Sequence, residues 1–199
     1  MIVLPRRAGP VEHGHFHLFL RGEGIAAGVT PLLLPELAIA GAPAPRQSAP
    51  LKLGVSDEVC HLLAIAVDEA GRPVRLFTTN RWVSGETWYR AEDVTGMLGR
   101  FRVAGERPSG LVNRWLEALL ALVHDDIAAL LRERDEAILK RRWRWRGNVF
   151  EDQRLEVTSS REIDLDQRLA AIEARRLTAH AGGIGRARRL PRLAEGWGS

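Results

Sequence analysis

An eight-residue apolar run, Cys60–Val67, constrains this chain more than any other feature. A second run, Val74–Thr79, follows the turn-like Glu69-Ala70-Gly71-Arg72. Two β-prone runs joined by a short Gly-containing turn predict an antiparallel hairpin. Upstream, residues 12–20 alternate as a strand does, and Gly22 and Gly24 break them. Downstream, Asn80–Val83, Ser84-Gly85 and Glu86–Tyr89 read as one more turn of the same meander.

Between the first strand and the hairpin, five of the ten prolines fall from Pro31 to Pro50. That stretch is expected to be loop, with one short helix at Pro35–Ala40 and with Leu32, Leu33 and Leu34 plugging the core beneath it.

Helical periodicity takes over after residue 90. A short helix is expected at Ala91–Leu98, and a long one from the N-cap Ser109 towards Arg142. The apolar stripe of the long helix is Trp115, Leu119, Val123, Ile127 and Leu130/Leu131. A strand at Arg154–Thr158 comes next. A last helix is then expected from Ser159, with Glu162 completing a capping box and Leu165, Leu169 and Ile172 as its buried face. Beyond Arg176 the Gly- and Arg-rich run reads as a flexible, disordered basic tail. The expected architecture is one α+β domain over 1–176, an N-terminal antiparallel sheet packed against C-terminal helices, with the tail at 177–199.

Lys and Arg number 29 against 25 Asp and Glu, a net charge of +4, with a pI near 10.1. Six arginines (Arg175, Arg176, Arg186, Arg188, Arg189 and Arg192) against Glu195 leave residues 175–199 at +5 and residues 1–174 at −1. The basic excess therefore describes the tail, and only nonspecific tail contacts with nucleic acid are expected. The stretch 140–146 interleaves five cations with Trp143 and Trp145 and could stack on bases, yet cations at a helix C-terminus also complement its dipole. The most apolar stretch, Ile25–Ala42, is broken by Pro31 and Pro35 and contains Glu36, unlike the ~20 apolar residues of a membrane span. The single cysteine excludes an internal disulfide. With no leader pattern at the start, a cytoplasmic protein is expected. Nothing in the sequence sets the oligomeric state.

His13-Gly14-His15-Phe16-His17 carries the clearest chemistry. On a strand all three histidines point to one face. Residues two apart are ~6.5 Å apart and four apart ~13 Å, so with Zn–N bonds of ~2.1 Å two of them can share an ion and three cannot. The pair His15 and His17, completed by His61, Cys60, Glu12 or Glu86, is thus a candidate site for a transition-metal ion, with His13 at its margin. The alternative is a metal-free polar pocket of the same residues. The second constellation is Thr78–Tyr89, rich in hydrogen-bonding and aromatic side chains. As a two-residue hairpin it would set Arg81 opposite Trp88 and Trp82 opposite Thr87, giving Asn80, Arg81, Trp82 and Trp88 as ligand-binding residues. The same pairs could instead staple a hairpin together. In an enzyme, Glu86 would be the acid/base and Arg81 an anion clamp.

Taken together, His-Gly-His-Phe-His, Leu-Phe-Thr-Thr-Asn-Arg-Trp-Val-Ser-Gly-Glu-Thr-Trp-Tyr, Asn113-Arg114-Trp115 and Val149-Phe150-Glu151-Asp152 resemble an uncharacterised bacterial family, domain of unknown function 6969. The resemblance covers residues 11–174, leaves Met1–Pro10 outside it, and implies no activity, cofactor or fold. The functional expectation is a His-rich sheet pocket for a small polar ligand, metal-dependent in one form. The alternatives are a non-catalytic protein-interaction module and an RNA- or DNA-associated accessory protein.

Overall fold

The computed structural model describes residues 12–34, 58–103, 105, 107 and 109–186, so the expected helix at 35–40 and the end of the tail lie outside the described residues. The fold is α+β. Strands β1 (Gly14–Arg21), β2 (Val59–Val67), β3 (Pro73–Thr79) and β4 (Val157–Glu162) form an antiparallel sheet in the order β1-β2-β3-β4. The helices are α1 (Arg81–Ser84), α2 (Ala91–Met97), α3 (Gly110–Leu122), α4 (His124–Arg144) and α5 (Leu165–Arg186). The hairpin is β2–β3. Its turn is held by the Asp68 carboxylate, which accepts from the Ala70 and Arg72 N–H groups at 2.9 Å, and by Gly71 at φ 75°, a value that favours glycine.

The register sorts side chains onto two faces of the sheet. Phe16, Ile65, Leu76 and Arg161 form one cross-strand row. That row meets the helices: the Phe16 ring lies 6.2 Å from Trp115 of α3, and Arg161 pairs with Asp126 and Glu133 of α4. Leu18, Leu63, Ile65 and Leu76 are buried, as are Ile127, Leu130 and Leu131 of α4, which packs on β3 and β4. Each such side chain stabilises the fold by about 1.5–3 kcal/mol. The opposite face carries the rows His17–Ala64–Phe77–Ser160 and His15–Ala66–Arg75–Glu162.

Three expectations about element boundaries are corrected. The segment after β3 is not a hairpin. Asn80 Oδ1 accepts from Arg81 N–H and Gly85 takes φ 63°, so the pair caps the two ends of a single helical turn, α1. The long helix is broken at Val123 (φ −106°, ψ 21°); Asp125 and Asp126 then start α4, where they complement its dipole. Ser109 caps α3 as expected, accepting from Val112 N–H at 3.2 Å. Ser159–Glu162 are strand, because Ser159 pairs with Thr78 and hydrogen-bonds it at 2.6 Å. The cap of α5 is instead Asp164, whose carboxylate accepts from Gln167 N–H at 2.9 Å.

The chain divides into two compact units, Met1–Ile163 and Asp164–Ser199. In the second, α5 continues past Arg176 to Arg186. Leu169 and Ile172, expected to be buried, are 52% and 37% exposed. Among the described residues of this unit α5 is the one regular element, so those residues offer the stripe no second layer to pack on. No helix among the described residues is long and apolar enough to cross a membrane.

Candidate functional site

The site is built on an irregularity in β2. Strict alternation would put His61 on the helix-covered face with Leu63 and Ile65. The register shifts between Leu18 and Phe19: Leu18 pairs with Leu63 but Phe19 with His61, leaving Leu62 as an extra residue. This bulge turns His61 to the face of His15, His17 and Phe19, as bulges beside functional sites commonly re-aim a side chain.

The rings then converge. His17 Nδ1 and His61 Nε2 lie 3.0 Å apart, the distance of an N–H···N hydrogen bond. The His15 and His17 ring centroids are 4.9 Å apart, edge to face. Phe19 lies 5.1 Å from His61, and Phe77 lies 5.7 Å from His15 and 6.0 Å from His17. Behind His61 sits the fully buried Glu86. Its Oε2 accepts the His61 backbone N–H at 2.8 Å, and its Oε1 accepts the Ser84 hydroxyl at 3.1 Å and stands 4.0 Å from His61 Nδ1. Glu86 is held there because its neighbour Thr87 donates its N–H to Val59 at the start of β2 and Trp88 donates to Leu33.

Burial governs the charges. It pushes the Glu86 carboxyl up from its ordinary 4.5 to about 7, although Arg134, the His61 N–H, Ser84 and Arg81 all favour the carboxylate. Burial, with His17 and Arg134 adding to it, lowers His61 from 6.5 to about 3. His17 is lowered too, by burial first and His15 second. Both rings are therefore neutral at pH 7.

The other expected residues serve the frame. His13 precedes β1, is exposed, and its backbone N–H donates to Val67. Asn80 is buried, capping α1 and donating its side-chain N–H to the Val149 carbonyl at 2.8 Å. Arg81 is buried too, donating to the Glu86 carbonyl at 3.0 Å and pairing with Glu151. Trp82 donates its indole N–H to the Leu155 carbonyl at 3.0 Å. Trp88 lies in the core with Leu33, Ile138 and Val149, and the cation over its ring, at 4.2 Å, is Arg134 rather than Arg81. Cys60 is buried, and burial pushes its thiol up, which favours the protonated form over the thiolate. Glu12 pairs with Arg75 at the edge of the face. Among the described residues, no three His, Cys, Asp or Glu side chains stand where they could jointly hold a metal ion. A depression of about 640 Å³ lined by Ala27, Val29, Leu32, Arg90 and Asp93 contains none of the expected site residues.

Three contributors escaped the sequence reading. Phe77 was visible in the alternation of Val74–Thr79, and Arg75 two residues earlier on the same face. Arg134 carried no signal, since it is one of several charges along a helix; yet it is buried, stacked on Trp88, and donates to the Tyr89 carbonyl at 2.6 Å.

A family model described as a domain of unknown function (DUF6969) matches residues 4–163, beginning ahead of and ending before the 11–174 expected from the motifs. No curated protein and no solved structure matches the chain.

Proposed function

The chain belongs to the family described as domain of unknown function DUF6969, and we propose that its histidine face binds a small polar ligand and withdraws a proton from it through His17, His61 and Glu86. The observation that carries this reading is the 3.0 Å contact between His17 Nδ1 and His61 Nε2, backed by a buried carboxylate. An N···N hydrogen bond needs one donor and one acceptor. With the His61 proton on Nδ1, facing Glu86, His61 Nε2 accepts and His17 Nδ1 donates. His17 Nε2 is then left as a lone pair for the ligand. When it takes a ligand proton, the Nδ1 proton of His17 passes to His61 Nε2 and the Nδ1 proton of His61 passes to Glu86. Both rings end neutral with their tautomers reversed, the ligand is an anion, and Glu86 is a neutral acid. The last transfer requires the carboxylate to approach by about 1 Å, to ordinary hydrogen-bond range.

A second reading rests on the same contact. A transition-metal ion would take the place of the shared proton, bound by His17 and His61 with His15 moving in as third donor. Glu86 would then stand behind His61 as the carboxylate that commonly orients a ligating imidazole. Elemental analysis of the purified chain, alongside nitrogen-15 spectra of its histidine rings at pH 7.5, separates the two. The relay predicts no stoichiometric metal and a neutral His17 protonated on Nδ1. One Zn, Mn, Fe or Cu per chain selects the ion, and a His17 protonated on Nε2 contradicts the relay.

The interaction-module reading has its own support at the end of α4, where Trp143 is 89% and Leu139 55% exposed. A pull-down lost on Trp143→Ala and kept on His17→Ala would favour it. We place the protein in the cytoplasm, a reading that cell fractionation tests.

A further inference from the structure

Arg75 projects from β3 onto the histidine face, its guanidinium carbon 4.3 Å from the centroid of Phe77, the ring that also touches His15 and His17. Its Nε and Nη2 donate to the two oxygens of Glu12, and its Nη1 donates to Ser160 Oγ at 3.1 Å. The Glu12 carboxylate is thus held in the fork geometry that arginine offers to a planar anion. Glu12 belongs to the stretch ahead of β1, is exposed, and pairs across 63 positions of sequence. Its carboxyl is held below the usual range chiefly by the Arg75 hydrogen bond, and His15 adds to the effect. A carboxylate supplied by the protein itself therefore already sits in the fork of Arg75, whose guanidinium lies over the ring that touches His15 and His17.

We propose that Arg75 is the anchor for a carboxylate-bearing small molecule, and that Glu12 occupies its fork until such a ligand displaces it. The proposal rests on the histidine-face reading above and names the substrate class for it: a small organic carboxylate whose acidic hydrogen is set over His17 while its carboxylate is clamped by Arg75. A ligand that trades places with Glu12 recovers the same two charge-assisted hydrogen bonds. Glu12 therefore acts as an internal competitor that lowers apparent affinity without touching the relay.

The test uses the full chain and benzoate as probe, followed through the ring signals of His15 and His17, with benzyl alcohol and inorganic phosphate as controls. The expected result is saturable binding of benzoate, about tenfold tighter in Glu12→Gln, where the competitor is gone. Binding should then be lost in Glu12→Gln/Arg75→Gln. Arg75→Lys keeps the charge and a stem over Phe77 but loses the fork, and should weaken benzoate at least about tenfold even where the glutamine variant fails to fold. Unchanged affinity in Glu12→Gln, or equal binding of phosphate and benzoate, overturns the proposal. The same spectra report the His17 tautomer. Absent benzoate binding with His17 protonated on Nδ1 defeats the anchor alone, whereas benzoate binding with His17 protonated on Nε2 defeats the relay alone.

Discussion

The two faces of the sheet solve opposite problems with the same strands. The helix-covered face is aliphatic: Leu18, Leu63, Ile65 and Leu76 are buried. Its identity follows from a two-residue period that any slip would destroy. The other face sets three imidazoles among Phe19, Phe77, Ala64 and Ala66. It exists in this form because one residue, Leu62, breaks the period. Regularity supplies stability on one side, and a local departure from it brings reactive groups together on the other.

Substitutions should separate the faces by size of effect. The largest is expected on the covered side. Ile65→Ala, removing a fully buried side chain opposite Phe16 and Leu76, should cost about 2–5 kcal/mol in denaturant unfolding. If Ile65→Ala is nearly neutral, the aliphatic face is not what holds the sheet to its helices.

The next effect belongs to the buried pair behind the histidines and is visible as pH dependence. Glu86 titrates at about 7 in the fold against an ordinary 4.5, so between those values the native state keeps a proton the unfolded chain releases, and stability falls as pH rises. His61, lowered from 6.5 to about 3, does the reverse: the unfolded chain binds a proton the native state refuses, and stability rises with pH across that window. Together they predict a rise from pH 3 to 4.5, a plateau to 6.5 where their slopes cancel and only the lowered His17 adds a shallow rise, and a decline towards 7. Each uncancelled slope is about 1.4 kcal/mol per pH unit. In Glu86→Gln the first contribution disappears, and stability should climb all the way to pH 6.5 and then level. A plateau that survives in Glu86→Gln would show that the carboxylate is not the group responsible.

His17→Ala should matter less to folding than either. The ring is half-buried and its hydrogen bond is one of the modest, exchangeable kind, so a loss of about 1 kcal/mol or less is expected alongside complete loss of ligand response. A cost as large as that of Ile65→Ala would make His17 a core residue. A separate effect on the acid side belongs to Asp152, whose carboxyl is held down at about 2 by Arg154 and Arg141. Asp152→Asn should lower stability throughout the range above the ordinary 3.8 and flatten the acid limb, where the pairing is otherwise lost as pH falls through about 2.

What the sequence made legible follows the same division. The β2–β3 hairpin, the strand carrying His15 and His17, and the Ser109 cap all obey local rules, and the structure contains them. His61 could be named as a candidate but not placed, because alternation sends it to the wrong face and a bulge leaves no mark in residue type. Asn80 and Gly85 were both visible; their five-residue spacing closes a helical turn, while attention to Ser84-Gly85 alone suggests a hairpin. Arg81 and Trp88 look like ligand groups from composition, but once the segment folds inward their hydrogen bonds and ring contacts are spent within the protein. Arg134 was hidden because a buried arginine is recognised only by what surrounds it.

In the proposed relay a bulge in β2 sets the buried His61 behind His17 so that one proton is shared between them. The most direct measurement is the nitrogen–nitrogen coupling across that hydrogen bond, in histidine-labelled protein at neutral pH. A cross-peak joining His17 Nδ1 to His61 Nε2 is expected, absent in His17→Ala and retained, with altered shifts, in Glu86→Gln. Two uncoupled rings, with His61 insensitive to replacement of His17, would contradict it.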